Sequence, residues 1–327
     1  MSDEAQALTL YNLPGDIYDH LSDFLDNKSL YVFLTLSPRR ITVAKYLLQQ
    51  RQWRQESMEH WARVGDLKGV QYLHRLGRKY LNTRTMDGAS TYGHLAVVQY
   101  LHSIGATCSE YAMGWATWNG HLEVVQYLHS IGAPCTDDAI DGASGNGHLA
   151  VVQYLHSIGA PRCTSYAMVW ASQNGDLAVV QYLHSIGAPC ATMAMDRASA
   201  NGHLAVAQYL HSIEATCSEY AMGWASEYGH LEVVQYLHSI GAPCTTMAMD
   251  RACEKGHLAV AQYLHSIDAP CAMSAMDNAC EKGHLEVVQF LHSIKAPMWA
   301  ITWGQYNKHP AIVDFLKSVK LICVKKK

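Results

Sequence analysis

Along most of the chain the apolar residues fall in two alternating patterns, both with helical period. In the stretch after Gly93, Val97, Tyr100, Leu101 and Ile104 stand at i, i+3, i+4 and i+7, the stripe of an amphipathic helix. In the stretch before Gly202, Ala194 and Ala198 share one face at i and i+4, which predicts a helix over roughly 192–201. Gly202 supplies the left-handed residue that ends such a helix. The next helix begins at His203, where Asp66 and Asp176 stand in two other copies. Asp is a strong N-cap, so the position is expected to accept hydrogen bonds from the start of the second helix.

The pair recurs. Gly-His-Leu appears with Gly at 93, 120, 147, 202, 229, 256 and 283, and Gly65 and Gly175 open Gly-Asp-Leu. Successive spacings are 27 or 28 residues, a period that means stacked helix pairs. Arg162, between Pro161 and Cys163, is one of the extra residues. Nine units are clear, and a worn tenth runs from Lys308 to Leu316. Terminal units need a polar outer face, and the Lys-rich end through Lys327 suits a cap.

The string from Gly120 to Ala133, Gly-His-Leu-Glu-Val-Val-Gln-Tyr-Leu-His-Ser-Ile-Gly-Ala, resembles the second half of an ankyrin repeat. The likeness covers about four fifths of the chain. It departs in length, since ankyrin repeats usually have about 33 residues. It also lacks the Thr-Pro-Leu-His start, replaced by strings such as Ala248-Met249-Asp250-Arg251-Ala252. The missing residues fall where ankyrin repeats carry a projecting finger. The units look like the short, fingerless ankyrin-type repeats of amoebae, oomycetes and large DNA viruses. The resemblance implies an all-α, right-handed helix-turn-helix solenoid over residues 55–327, ending in a degenerate cap.

Residues 1–54 precede the clear units. Leu13-Pro14-Gly15-Asp16-Ile17, then Leu21, Phe24-Leu25, Ser29-Leu30 and Phe33, keep helical spacing. Their order resembles an F-box, a small helical module that docks on a Skp1-type adaptor of a cullin ubiquitin ligase. Trp53-Arg54 falls where many F-boxes end. The resemblance implies adaptor binding through Leu13, Pro14, Ile17, Phe24 and Leu25. The other reading is a plain cap, because Thr42 to Leu47 resembles the second-helix string Ala205 to Leu210. Both can hold if the last F-box helix is fused to the stack.

Apolar residues make up 49% of the 327 and charged ones only 16%, which excludes a disordered chain. A net charge of −4 makes no electrostatic case for nucleic acid. The acidic start and the absence of a long apolar run lead us to expect a soluble, cytoplasmic protein, with the nucleus as an alternative. In a virus, that would be the host cytoplasm.

The 19 His and 10 Cys invite a metal or disulfide reading, but their positions follow the repeat. One His follows the Gly of most units and a second lies eight residues on, about 12 Å up the helix and about 80° around it. Such a pair cannot share a zinc ion with bonds of about 2.0 Å. A packing role is expected, and a histidine-rich metal binder is the remote alternative. The second ladder, which includes His102, is expected to be partly buried, so that acid weakens the fold. Cys108, Cys135, Cys163, Cys190, Cys217, Cys244 and Cys271 are expected to be reduced and too far apart for disulfides. The Met column, including Met113 and Met195, is expected to be core.

No Walker, dinucleotide-binding or zinc-protease motif is present, so no enzyme and no cofactor are expected. Two nearly identical units, 107–133 and 216–242, differ only at Thr117-Trp118-Asn119 against Ser226-Glu227-Tyr228. Just upstream lie two variable columns. One holds Gly88, Trp115, Gly142, Trp170, Arg197, Trp224, Arg251 and Asn278; the other holds Asp87, Gly114, Asp141, Val169, Asp196, Gly223, Asp250 and Asp277. In ankyrin-type repeats the first helix lines the concave face, so the resemblance implies a protein-binding surface here. Trp and Arg are enriched at interface hot spots. Trp115, Trp118, Trp170, Arg197, Trp224, Tyr228 and Arg251 are the expected partner contacts. Packing between units is the competing account for the Trp. The expected function is a non-catalytic interaction protein recruiting substrates to a cullin-type ligase; the alternative is a plain scaffold.

Overall fold

A computed structural model describes residues 48–77, 82–296 and 309–319. Among these, all regular structure is α-helical. Two compact units divide the chain, Met1–Thr136 and Asp137–Lys327. In the first, helical residues 48–55 precede α1 (Met58–Val64), α2 (Leu67–Arg75), α3 (Thr83–Thr91), α4 (Leu95–Ser103), α5 (Glu110–Trp118) and α6 (Leu122–Ser130). The second begins with α7 (Ala139–Gly145), α8 (Leu149–Ser157), α9 (Ser165–Asn174), α10 (Leu177–Ser185), α11 (Thr192–Ala200) and α12 (Leu204–Ser212). It continues with α13 (Glu219–Glu227), α14 (Leu231–Ser239), α15 (Thr246–Lys255), α16 (Leu258–Ser266), α17 (Ser274–Lys282), α18 (Leu285–Ser293) and α19 (Pro310–Ser318). Within each unit a helix pair packs on the next, first helix on first and second on second.

Small residues let the helices close up. Ala112 and Ala116 on α5, like Ala194 and Ala198 on α11, are fully buried and leave room for Met113 and Met195. Every described Met of the expected column is at most 1% exposed. The second helix contributes Val97, Val98 and Leu101 on α4, so the buried stripe is wider than the i, i+3, i+4, i+7 pattern. Tyr100 and Ile104, at its margin, are only half-buried.

The two His ladders differ from expectation. His94, His203 and His230 do not cap their own helices with their side chains. The ring instead turns to the preceding pair. The His203 Nε2–H donates to the Gln173 carbonyl at 2.9 Å, and the His257 Nε2–H to that of Glu227 at 2.9 Å. These carbonyls close the first helix, where four acceptors lack intrahelical partners. His309 does the same for Glu281 ahead of α19. Only Asp66 caps as expected, accepting from the Gly69 N–H at 3.0 Å. Most of the second ladder is exposed rather than partly buried: His102, His156, His184 and His238 lie at the surface, while His74 and His292 are half-buried. Each of those four has Nδ1 hydrogen-bonded to a Tyr hydroxyl one pair on, as His102 to Tyr127 at 2.8 Å. His102 lies about 40° beyond Val98 around the helix, on the side away from Leu101, which carries it out of the buried stripe.

The Asp column is also misread as surface. Asp141 and Asp196 are 3% and 4% exposed. Each carboxylate accepts from the residue that opens the next first helix: Asp196 from the Ser218 N–H at 2.8 Å and its hydroxyl at 2.6 Å. Asp141 serves Thr164, and Asp87 serves Ser109. Ser218 in turn accepts from the Tyr220 N–H at 3.1 Å, an N-cap. Helices α11 and α15, which follow Val169 and Gly223, have no side-chain cap. From Asp87 to Gly223 the column therefore repeats every two helix pairs; the alternation ends at Asp250, which accepts from the Ser274 hydroxyl at 2.7 Å and is followed one pair on by Asp277.

Helical residues 48–55 are tied to the first pair. Trp53 is 4% exposed, and its indole N–H donates to Asp66 Oδ2 at 2.6 Å. The Trp61 indole N–H donates to the Trp53 carbonyl at 3.1 Å, and the Arg54 Nε–H to the Tyr72 hydroxyl at 2.8 Å. Leu13, Pro14, Ile17, Phe24 and Leu25 lie outside the described residues.

Candidate functional site

With one face of each first helix fixed by Ala and Met, the residues just before each Ala, and the one two positions after the second Ala, are directed outward. In the first unit this exposes Tyr111, Trp115 and Trp118 at 61%, 48% and 42%. The Trp115 and Trp118 rings meet edge to face with centroids 6.3 Å apart. Thr117, between them in sequence, is buried and donates to the Gly114 carbonyl at 2.7 Å.

In the second unit Tyr166 stacks on Trp170 at 5.5 Å, and Tyr220 on Trp224 at 5.2 Å. The Tyr is at i and the Trp at i+4, neighbours on a helix surface. Trp170 is half-buried over Gly145, where a Cβ would come within 2.9 Å of the Trp170 Cβ. Packing thus explains part of Trp170, though not at Gly114 or Gly223, whose nearest neighbours are Thr136 and Met247. The Arg197 guanidinium lies over Trp224, 5.1 Å from the ring centre. Arg251 sits 3.7 Å from both Glu227 and Glu254, and Lys255 joins the same two carboxylates. Tyr228 is 59% exposed beside His230. Of the three positions that distinguish the duplicated units, Ser226 is buried like Thr117, so only the last two reach the surface.

Residue-by-residue reading missed the tyrosines. Their signal was the repeated Tyr-x-x-x-Trp spacing at 111, 166 and 220. One cleft of about 570 Å³ lies on the first-helix surface of the first pairs, among Glu56, His60 and Arg63 around α1 and Tyr92 after α3, and one of about 510 Å³ lies apart from it, by His211, Glu214 and Cys217. The first-helix columns form open surface, suited to a macromolecule more than to an enclosed small ligand.

Two stretches match known sequence families, residues 86–129 and 222–300, both to models of ankyrin repeats. These residues are ankyrin repeats. The recurrence of Gly-His-Leu carries the same pattern beyond them. Among solved structures, the human ASB11 ankyrin repeat domain matches with 18% identity and a TM-score of 0.48. That match covers 57% of this chain and 99% of the other. No curated protein matches the chain. Ankyrin repeats imply a protein–protein interaction scaffold.

The ladders offer little other chemistry. Among the described residues no three His, Cys, Asp or Glu side chains are grouped as a metal ion would need. The described cysteines are free thiols. Burial pushes the Cys280 thiol up to about 12 and Cys253 further still, so both stay protonated and unreactive. Burial raises Cys108, Cys163 and Cys217 too, with the neighbouring Asp carboxylate adding to it. Among the described residues no helix is long and apolar enough to cross a membrane.

Proposed function

We propose that the first-helix surfaces hold a protein target and that the chain works as a cytoplasmic, non-catalytic recruiting protein. The observation that carries this is the set of large side chains left in water on those helices: Tyr111, Trp115 and Trp118 in one unit, Tyr220 and Tyr228 in the other. Exposing rings of this size forfeits burial worth about 25 cal/mol per Å², and a partner regains it. Partners captured by the intact chain are compared with those of Trp115→Ala/Trp118→Ala and Tyr220→Ala/Trp224→Ala. Loss of a partner in either variant, with helical content intact, supports the reading. Retention of every partner by both rejects it.

The ligase-linked form of this reading adds a Skp1-type adaptor at Leu13, Pro14, Ile17, Phe24 and Leu25. Its support is the F-box-like order of those residues, which ends at Trp53. Capture of the adaptor by the chain, lost in Leu13→Ala/Pro14→Ala, is the expected result. Equal capture by both, or none by either, leaves the plain scaffold.

A further inference from the structure

Arg197 and Arg251 occupy the same position in helix pairs two apart, yet their surroundings differ in charge. Arg251 has Glu227 and Glu254 at 3.7 Å. The corresponding residues around Arg197 are Gln173 and Ala200. Among the described residues no carboxylate lies within 4 Å of Arg197. The adjacent Asp196 is turned inward to Ser218. Arg197 is thus a cation whose internal counter-ions have been replaced by neutral residues.

Its posture suits an incoming anion. The guanidinium carbon lies over Trp224, which is itself stacked on Tyr220. A guanidinium held over a ring by cation–π attraction has its N–H donors still to satisfy, and a carboxylate fits them. The second ring pair, Tyr166 with Trp170, stands one helix pair to the other side. The Tyr220–Trp224 pair lies directly against Arg197. Packed helices are about 8–10 Å apart, so the Tyr166–Trp170 pair is about three residues of extended chain from Arg197, at about 3.3–3.6 Å per residue.

We propose that this surface takes an extended acidic segment of a protein partner. One Asp or Glu carboxylate pairs with Arg197, which Trp224 supports from below, and an aromatic or proline ring about three residues to one side rests on the Tyr166–Trp170 pair. The inference rests on the protein-binding reading above and gives that surface its partner chemistry.

The probe is a random twelve-residue peptide library displayed against the full chain. Enriched peptides are expected to carry Asp or Glu, with an aromatic residue or Pro about three positions away on one side. Gln173→Glu supplies Arg197 with an internal carboxylate at nearly constant shape. It is expected to weaken a selected peptide about tenfold or more, the scale of a lost Arg hot spot. Arg197→Glu should turn the central preference to Lys or Arg. Circular dichroism and melting show that each variant is folded. Peptides that need Trp170 and Trp224 but have no acidic centre, or whose binding ignores Gln173→Glu, overturn this inference while leaving the surface a protein-binding one. If no peptide is enriched, this inference falls, and the partner captures described above decide separately on the broader reading.

Discussion

The Asp196 carboxylate holds both the N–H and the hydroxyl of Ser218, and so one helix pair starts the next. Hydrogen bonds to a buried charge contribute about 1.5–3 kcal/mol, and Asp196→Ala leaves the Ser218 N–H without its partner. We expect that variant to lose about 2–4 kcal/mol in denaturant unfolding. The same relationship predicts an unusual deletion series. Removing residues 190–216 places Ser218 opposite Val169, whereas removing 163–216 places it opposite Asp141. The shorter protein is expected to melt at least as high as the longer one. The opposite order would show that the two-pair period has no energetic meaning.

Gly202 has φ +77°, and a Cβ there would fall 2.6 Å from the His230 ring. Both the backbone and the close approach exclude a side chain. Gly202→Ala is expected to cost about 2–4 kcal/mol, of which about 1–2 is the left-handed backbone. Adding His230→Ala removes the crowding, so the double variant should lose less than the two single losses together. Strict additivity in urea melts would place the whole cost in the backbone.

The turn after each second helix carries the opposite lesson. Gly105 and Gly241 take positive φ there, with open space where a Cβ would be. Glu214 and Asp268 hold the same position at φ 63° and 53°. Replacing each by Gly relieves the strain but loosens the unfolded chain. A net gain of about 0.5–1 kcal/mol per site is expected, and no rise in melting temperature for the double variant would contradict it.

The helix pairs and their Met and Ala core were legible in the sequence because periodicity reports which face is buried. Direction across the stack was not. A recurring His after Gly is compatible with capping its own helix or with bonding the preceding pair, and only the packed structure shows His203 on the Gln173 carbonyl. The exposed place of His102 was missed because one turn past a core Val was taken as burial, although the residue points beyond the stripe. The alternation of Asp with Gly or Val was visible in the columns. Its meaning required knowing that Asp196 reaches Ser218, which no spacing within one pair reveals. The outward set Trp115, Trp118 and Tyr228 was reachable from sequence, because only two positions of the duplicated units vary at the surface.

His230, in the first His ladder, should give the fold a pH response. Burial lowers the His230 pKa from its ordinary value, and the neighbouring His203 and His257 lower it further. The hydrogen bond to the Ala200 carbonyl works the other way and is the smaller effect than burial. A lowered folded pKa means that the unfolded chain takes up a proton first. The associated stability is present above the unfolded value of about 6.5 and is lost as pH falls from there through the folded value. Melting temperature is therefore expected to fall between pH 7.5 and pH 5.5 at fixed salt. Asp176 has the opposite sign, since burial raises its carboxyl, but it acts nearer the carboxylate range and below this window. His230→Gln keeps an N–H for the Ala200 carbonyl and removes the titration. That variant should show a shallower slope than the parent across the same window. Parallel slopes would move the pH dependence away from His230, and a melting temperature that rises toward pH 5.5 would reverse its sign.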